Sequence, residues 1–189
     1  MASSLIASAV LSVLLASHAV EARPTTQTGV SNQAPTSGLG RAPTPEALRA
    51  IDIEVLPDGR GLPPGRSTAE QGKAVYAARC ASCHGATGRE GPNDPLAGGL
   101  GTLTTDRPVK TVGSYWPYAT TLWDYINRAM PFAQPHSLTA DEVYGVTAYV
   151  LSLSGIVGER DVVSRETLPR IRMPNRDGFI GDTRDQERR

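Results

Sequence analysis

The segment Cys80-Ala81-Ser82-Cys83-His84 holds the only two cysteines of the chain, three residues apart, with an imidazole directly after the second. Two thiols at this spacing can add to the two vinyl groups of one porphyrin, and the adjacent His84 is then directed at the iron. C-x-x-C-H is the attachment signature of c-type haem. A disulfide across the pair leaves His84 without a role, and a dithiol redox motif calls for a βαβ setting that is missing here. A closed zinc site needs four ligands. Beyond the first 22 residues the chain offers only His84 and His136 beside the two thiols.

His84 supplies one axial ligand. The other face of the iron needs a second donor, and the candidates are Met130, Met173 and His136. A thioether is a soft, neutral ligand that raises the haem potential, which suits an electron carrier. Met130, in Ala129-Met130-Pro131-Phe132, is the preferred donor, because Pro131 stiffens the chain after it. Met173, in Arg172-Met173-Pro174-Asn175, is the runner-up, and His136 reads as a solvated turn residue. Gly91-Pro92-Asn93 follows at a distance that lets the Pro92 carbonyl accept the Nδ1 proton of His84, which would fix the ring and tune the iron. Tyr115, Trp116 and Tyr118 make an aromatic cluster whose N–H and O–H groups could hold haem propionates.

Three helices must position these groups. The first is expected from Ser67, whose spacing to Glu70 makes a capping box, with Gly72, Tyr76 and Cys80 on one stripe. The second spans about Thr121 to Ala129, with Leu122, Tyr125, Ile126 and Ala129 on one face, and Pro131 prevents its continuation. The third opens at Thr139 with a box to Glu142, carries Val143, Val146, Tyr149, Val150 and Leu153, and closes at Gly155. Long Gly- and Pro-rich connections separate the first two, so the domain is mainly α.

At 189 residues there is room for one ordinary domain plus tails. Residues 1–22 read as a secretory signal peptide: the apolar run from Leu5 to Ala16 is too short to span a bilayer, and cleavage options end at Ala19 and Ala22. The expected location is therefore periplasmic, without a membrane span in the mature protein. Residues 23–66 are rich in Pro, Gly and Thr and read as a linker or docking arm, within which Pro45–Leu56 fits either a helical turn or a docking strand. The haem domain is expected over 67–155. In the arm 156–189, Ile171, Met173, Phe179 and Ile180 are too few for a core of their own and should cover a surface. Lys and Arg (19) balance Asp and Glu (19), with no basic stripe of the kind a nucleic-acid binder shows.

From about residue 67 to 155 the chain resembles class I cytochromes c. That resemblance implies three main helices around a covalent haem, here with extended irregular N- and C-terminal arms, and a helix crossing matched by Gly72, Tyr76 and Tyr149. Over 61 to about 180, and through the run from Lys110 to Ile126 (Lys110-Thr111-Val112-Gly113-Ser114-Tyr115-Trp116-Pro117-Tyr118-Ala119-Thr120-Thr121-Leu122-Trp123-Asp124-Tyr125-Ile126) and the tail from Leu168 to Phe179 (Leu168-Pro169-Arg170-Ile171-Arg172-Met173-Pro174-Asn175-Arg176-Asp177-Gly178-Phe179), it is similar to the cytochrome subunits of bacterial sulfite dehydrogenases and of the thiosulfate-oxidising sulfur dehydrogenase. The family implies Met130 as sixth ligand, a molybdenum-cofactor partner that performs the sulfur chemistry, and a soluble cytochrome c as acceptor. Some sulfur dehydrogenase cytochromes carry two haems, whereas this chain has a single C-x-x-C-H. On this reading the chain is an electron-transfer subunit and the sulfur chemistry lies on its partner. The alternatives are a free-standing shuttle to a terminal oxidase and a sensor or enzyme with an open iron position.

Overall fold

The computed structural model describes residues 40–181. The expected signal peptide (1–22) and the Pro/Thr-rich stretch to residue 39 lie outside the described residues.

In chain order the elements are α1 (Pro45–Ile51), β1 (Arg66–Ser67), α2 (Ala69–Arg79), α3 (Ala81–His84), α4 (Val112–Tyr115), α5 (Ala119–Ala129), α6 (Ala140–Ser152), β2 (Val163–Ser164) and a 3-10 turn at Leu168–Arg170. α6 is the hub. It is buried on nearly every side, through Val143, Tyr144, Val146, Ala148, Val150 and Leu151, and both α2 and α5 pack on it.

Two of the three long helices, α2 and α6, open on a capping box. Thr139 caps α6 as expected, its hydroxyl accepting from Glu142 N while the Glu142 carboxylate accepts from Thr139 N. α2 begins one residue later than the Ser67–Glu70 spacing predicts: Thr68 is the cap and Gln71 closes the box. Ser67 is drawn instead into β1, where it pairs with Val163, and its hydroxyl donates to Gln71 Oε1. α5 starts at Ala119, without a side-chain cap, and buries Leu122, Trp123 and Ile126. Tyr125, expected on the same face, is 45% exposed.

Of the two readings of Pro45–Leu56 the structure has the helix, α1, while residues 52–56 dock without forming a strand. Thr44 caps α1, which buries none of its residues; the chain then extends to Val55, which is buried. Val55 N donates to Asp124 Oδ1 (2.9 Å) on α5, and the same carboxylate is clamped by Arg128 one turn on. Leu62 is buried as well, and Tyr144 Oη donates to Pro63 O at 2.9 Å.

The segment after α6 also returns to the core. β2 pairs antiparallel with β1, Val163, Leu168 and Met173 are each about 1% exposed, and Arg172 bridges Tyr118. The surface that Met173 was expected to cover is therefore the chain's own core. Burying a side chain of this size contributes about 1.5–3 kcal/mol. Ile180, by contrast, is 94% exposed. Among the described residues no helix is long and apolar enough to cross a membrane.

Candidate functional site

α2 ends where the chemistry begins. Cys80 caps it, its N–H donating to Tyr76 O, and its carbonyl then accepts from Cys83 N (3.1 Å) and His84 N (3.0 Å). That single turn, α3, brings residues three and four apart onto one side, so both thiols and the imidazole face the same space. Cys80 is half-buried and Cys83 exposed, and neither is in a disulfide. Burial pushes the Cys80 thiol up to about 11, which keeps it protonated at neutral pH and unlike the low-pKa thiolate of a dithiol redox centre.

The loop after His84 folds back beneath this turn. Tyr76 Oη donates to Gly85 O at 2.9 Å, and burial pushes that phenol up to about 12, so it remains a donor. Gly91 lies against the attachment turn so closely that a Cβ there would sit 2.2 Å from Cys83 O. Asn93 N donates to the same carbonyl at 3.0 Å. The carbonyl within reach of His84 Nδ1 is that of Asp94, at 3.4 Å, in place of the expected Pro92 carbonyl; Pro92 lines the cleft beside it. The loop advances two residues further before turning its carbonyl to the ring.

α3 forms one wall of a cleft of about 800 Å³, within the size range of small-molecule and cofactor sites. Leu96, Val112, Leu122, Ile126, Val146 and Val150 make its apolar lining, with Tyr76 among them. Met130, Pro131 and Phe132 line the same cleft as His84. Met130 caps α5, its N–H donating to Ile126 O, and is half-buried. Met173 is buried in the core and does not line the cleft. His136 does not line it either: it is exposed, with Nδ1 3.2 Å from Asn127 Oδ1.

The three aromatics do not form the expected cluster. Only Trp116 lines the cleft, packed edge-on against Tyr125 at 5.8 Å. Tyr115 turns outward beneath Lys110 and against Phe179, and Tyr118 lies under the Arg176 guanidinium, 4.3 Å from its centre. The C-terminal arm claims both rings, through Phe179 and Arg176. Residues that the sequence reading passed over are Leu96 and Val112 in the lining, Asp94 behind His84, and Arg79 at the mouth. Of these only Arg79 carried a signal, its place directly before the motif.

An apolar cleft lined by two thiols, an imidazole and a thioether fits a covalently held haem. Among the described residues no group of three or more His, Cys, Asp and Glu side chains gathers as a separate metal site.

Residues 69–154 match the family model described as cytochrome c. A chain in the crystal structure of the sulfane dehydrogenase SoxCD from Paracoccus pantotrophus is similar at 46% identity, covering 80% of this chain and 75% of that one, with a TM-score of 0.72. This chain belongs to the cytochrome c family. Among curated proteins, none matches. The mainly helical fold and the covalent haem c it implies are those of a cytochrome c, and α2 and α6 of this cytochrome cross beside the cleft.

Proposed function

We propose that this cytochrome c is the electron-transfer subunit of a periplasmic sulfur-oxidising complex. It accepts single electrons from a molybdenum-cofactor partner, at which sulfite or protein-bound sulfur is oxidised, and passes them to a soluble cytochrome c. The observation that carries this reading is the convergence of Cys80, Cys83, His84 and Met130 on one apolar cleft. When bound, haem c supplies a one-electron iron couple.

The chain's own residues do the rest. Cys80 and Cys83 would tether the one haem for which the sequence has an attachment motif. His84 and Met130 would both ligate the iron of the bound haem, which disfavours a sensor or an enzyme that binds substrate at the metal. The Asp94 carbonyl, 3.4 Å from Nδ1, would orient the His84 ring. Leu122, Ile126, Val146 and Val150 exclude water from the inner side, while Cys83, Tyr125 and Phe132 leave the mouth open to a redox partner.

A free-standing shuttle is weighed against this reading on different grounds from those the sequence offers. The length of the arms does not by itself argue for a partner, since Val55, Leu62, Val163, Leu168 and Met173 cover the chain's own core. The similarity to a chain of the sulfane dehydrogenase now favours the complex. The test has two parts. Denatured protein should retain peroxidase-type haem staining that Cys80→Ala with Cys83→Ala abolishes; colourless mature protein from a host competent in cytochrome c maturation sinks the haem assignment. The purified complex should show reduction of the haem on addition of the sulfur substrate. A cytochrome that never co-purifies with an oxidase subunit and is reduced only by other cytochromes returns the shuttle.

A further inference from the structure

The segment from Met130 to Leu138 leaves the end of α5, crosses the mouth of the cleft and re-enters the core at buried Leu138. Its middle is exposed, Phe132 at 86%. A soft iron–thioether bond offers little rigidity of its own, so the chain that carries the sulfur must hold it in place. Three clasps do so. Gln134 N donates to Pro131 O (2.8 Å), closing a turn, and His136 is tied to Asn127 on α5. The third comes from the end of α2. Arg79 Nη2 donates to Gln134 Oε1 (3.0 Å) and to Ser137 Oγ (2.8 Å).

Arg79 is the last residue of α2 and directly precedes Cys80. Among the described residues its guanidinium makes no ion pair, and both of its acceptors are neutral oxygens on this one segment. Its two charge-assisted bonds therefore join the turn that bears Cys80, Cys83 and His84 to the segment that bears Met130. We propose that Arg79 is a positioning residue for Met130, acting through Gln134 and Ser137 to keep the thioether on the iron against competing small ligands. The inference rests on the reading of Met130 as the sixth ligand.

The physical basis is a two-state segment. An added ligand binds only when Met130 is off the iron, so its apparent affinity scales with the fraction of molecules in that open state. Bonds that exist only in the closed arrangement lower that fraction. Removing Arg79, and with it two exposed charge-assisted bonds, should raise it about tenfold.

The experiment titrates the oxidised holoprotein with imidazole, following loss of the weak near-infrared sulfur-to-iron absorption. Arg79→Ala should keep the absorption but bind imidazole about tenfold more tightly, and Arg79→Lys should recover part of the loss. Gln134→Ala combined with Ser137→Ala should reproduce the effect, and adding Arg79→Ala to that pair should change little more, because all three act through one contact. These two loop substitutions are exposed and give a folded comparison should Arg79→Ala fail to accumulate. Unchanged imidazole affinity in either variant, with the absorption present in all, overturns the positioning role while leaving Met130 as ligand. A merely structural role would lower thermal stability without moving the affinity, and also overturns it. A wild-type protein lacking the absorption overturns the Met130 reading, and this inference with it.

Discussion

Gly72 on α2 lies against the backbone of Gly145 on α6: a Cβ added at Gly72 would sit 1.8 Å from the Gly145 carbonyl oxygen. Two glycines facing each other let the helices approach to backbone contact. That approach sets Tyr76 against Tyr149, with ring centroids 4.8 Å apart, and so places the end of α2, where Cys80 follows, against the cleft. Gly72→Ala should force the helices apart and cost about 3 kcal/mol, the upper part of the usual range for overpacking. Guanidinium unfolding of the haem-loaded protein measures it. A loss below 1 kcal/mol would show that the crossing slides without penalty.

The loop beneath the attachment turn carries a pH dependence. The Glu90 carboxylate accepts from Thr87 Oγ1, Thr87 N and Arg89 N, and these bonds, the Thr87 hydroxyl first, hold its pKa down to about 2 from an ordinary 4.5. A depressed carboxylate pKa stabilises the folded state above the unfolded pKa. The contribution is therefore complete above about pH 4.5 and lost as pH falls towards 2. Acid unfolding of wild type and Glu90→Gln should show curves separated at neutral pH that converge towards pH 2. Parallel curves across that window would mean the ionised carboxylate adds nothing.

Met130 and Met173 separate ligation from packing. Met130→Ala should abolish the near-infrared absorption and lower the potential by a sizeable part of the roughly 0.8 V that axial ligation spans. Met173→Ala should leave both unchanged, yet cost about 2–5 kcal/mol in stability because its side chain is buried in the core. The reverse pattern would move the ligand to the C-terminal arm.

What the sequence made legible follows from where its information is local. The attachment turn and the Thr139–Glu142 cap were readable because each needs only residues within four positions. The start of α2 slipped by one residue because Ser67-x-x-Glu70 and Thr68-x-x-Gln71 both satisfy the capping pattern. The choice between them is made by a strand partner, Val163, about a hundred residues away. The burial of Met173 was not readable. Its anchors, Val163, Leu168 and Met173, follow neither a helical nor a strand period, and charged residues and prolines surround them. The same non-local pairing took Tyr115 and Tyr118 out of the expected aromatic cluster: Phe179 and Arg176, which cover them, lie on the arm that returns.

The returning arm is part of the fold as far as Met173. As a docking arm, residues beyond Gly158 should be removable with the haem domain intact. Yet the cut discards β2 together with Val163, Leu168 and Met173. At about 1.5–3 kcal/mol each, three buried side chains approach the entire stability of an ordinary domain. Truncation after Gly158 should therefore yield little haem-loaded protein, while truncation after Gly178 keeps every core anchor, and the Asn175 bond to Tyr115 O at 2.7 Å, and should fold. The shorter cut removes Phe179 and Ile180, apolar and more than half exposed, the kind of side chain that anchors a partner. Comparing the Gly178 truncation with full-length chain by thermal unfolding and by co-purification with the oxidase subunit separates the two roles. Equal thermal stability with weaker co-purification places docking at the arm's end. Equal stability with equal co-purification makes the arm wholly a part of this chain's own fold, and turns attention to the open mouth of the cleft at Tyr125 and Phe132.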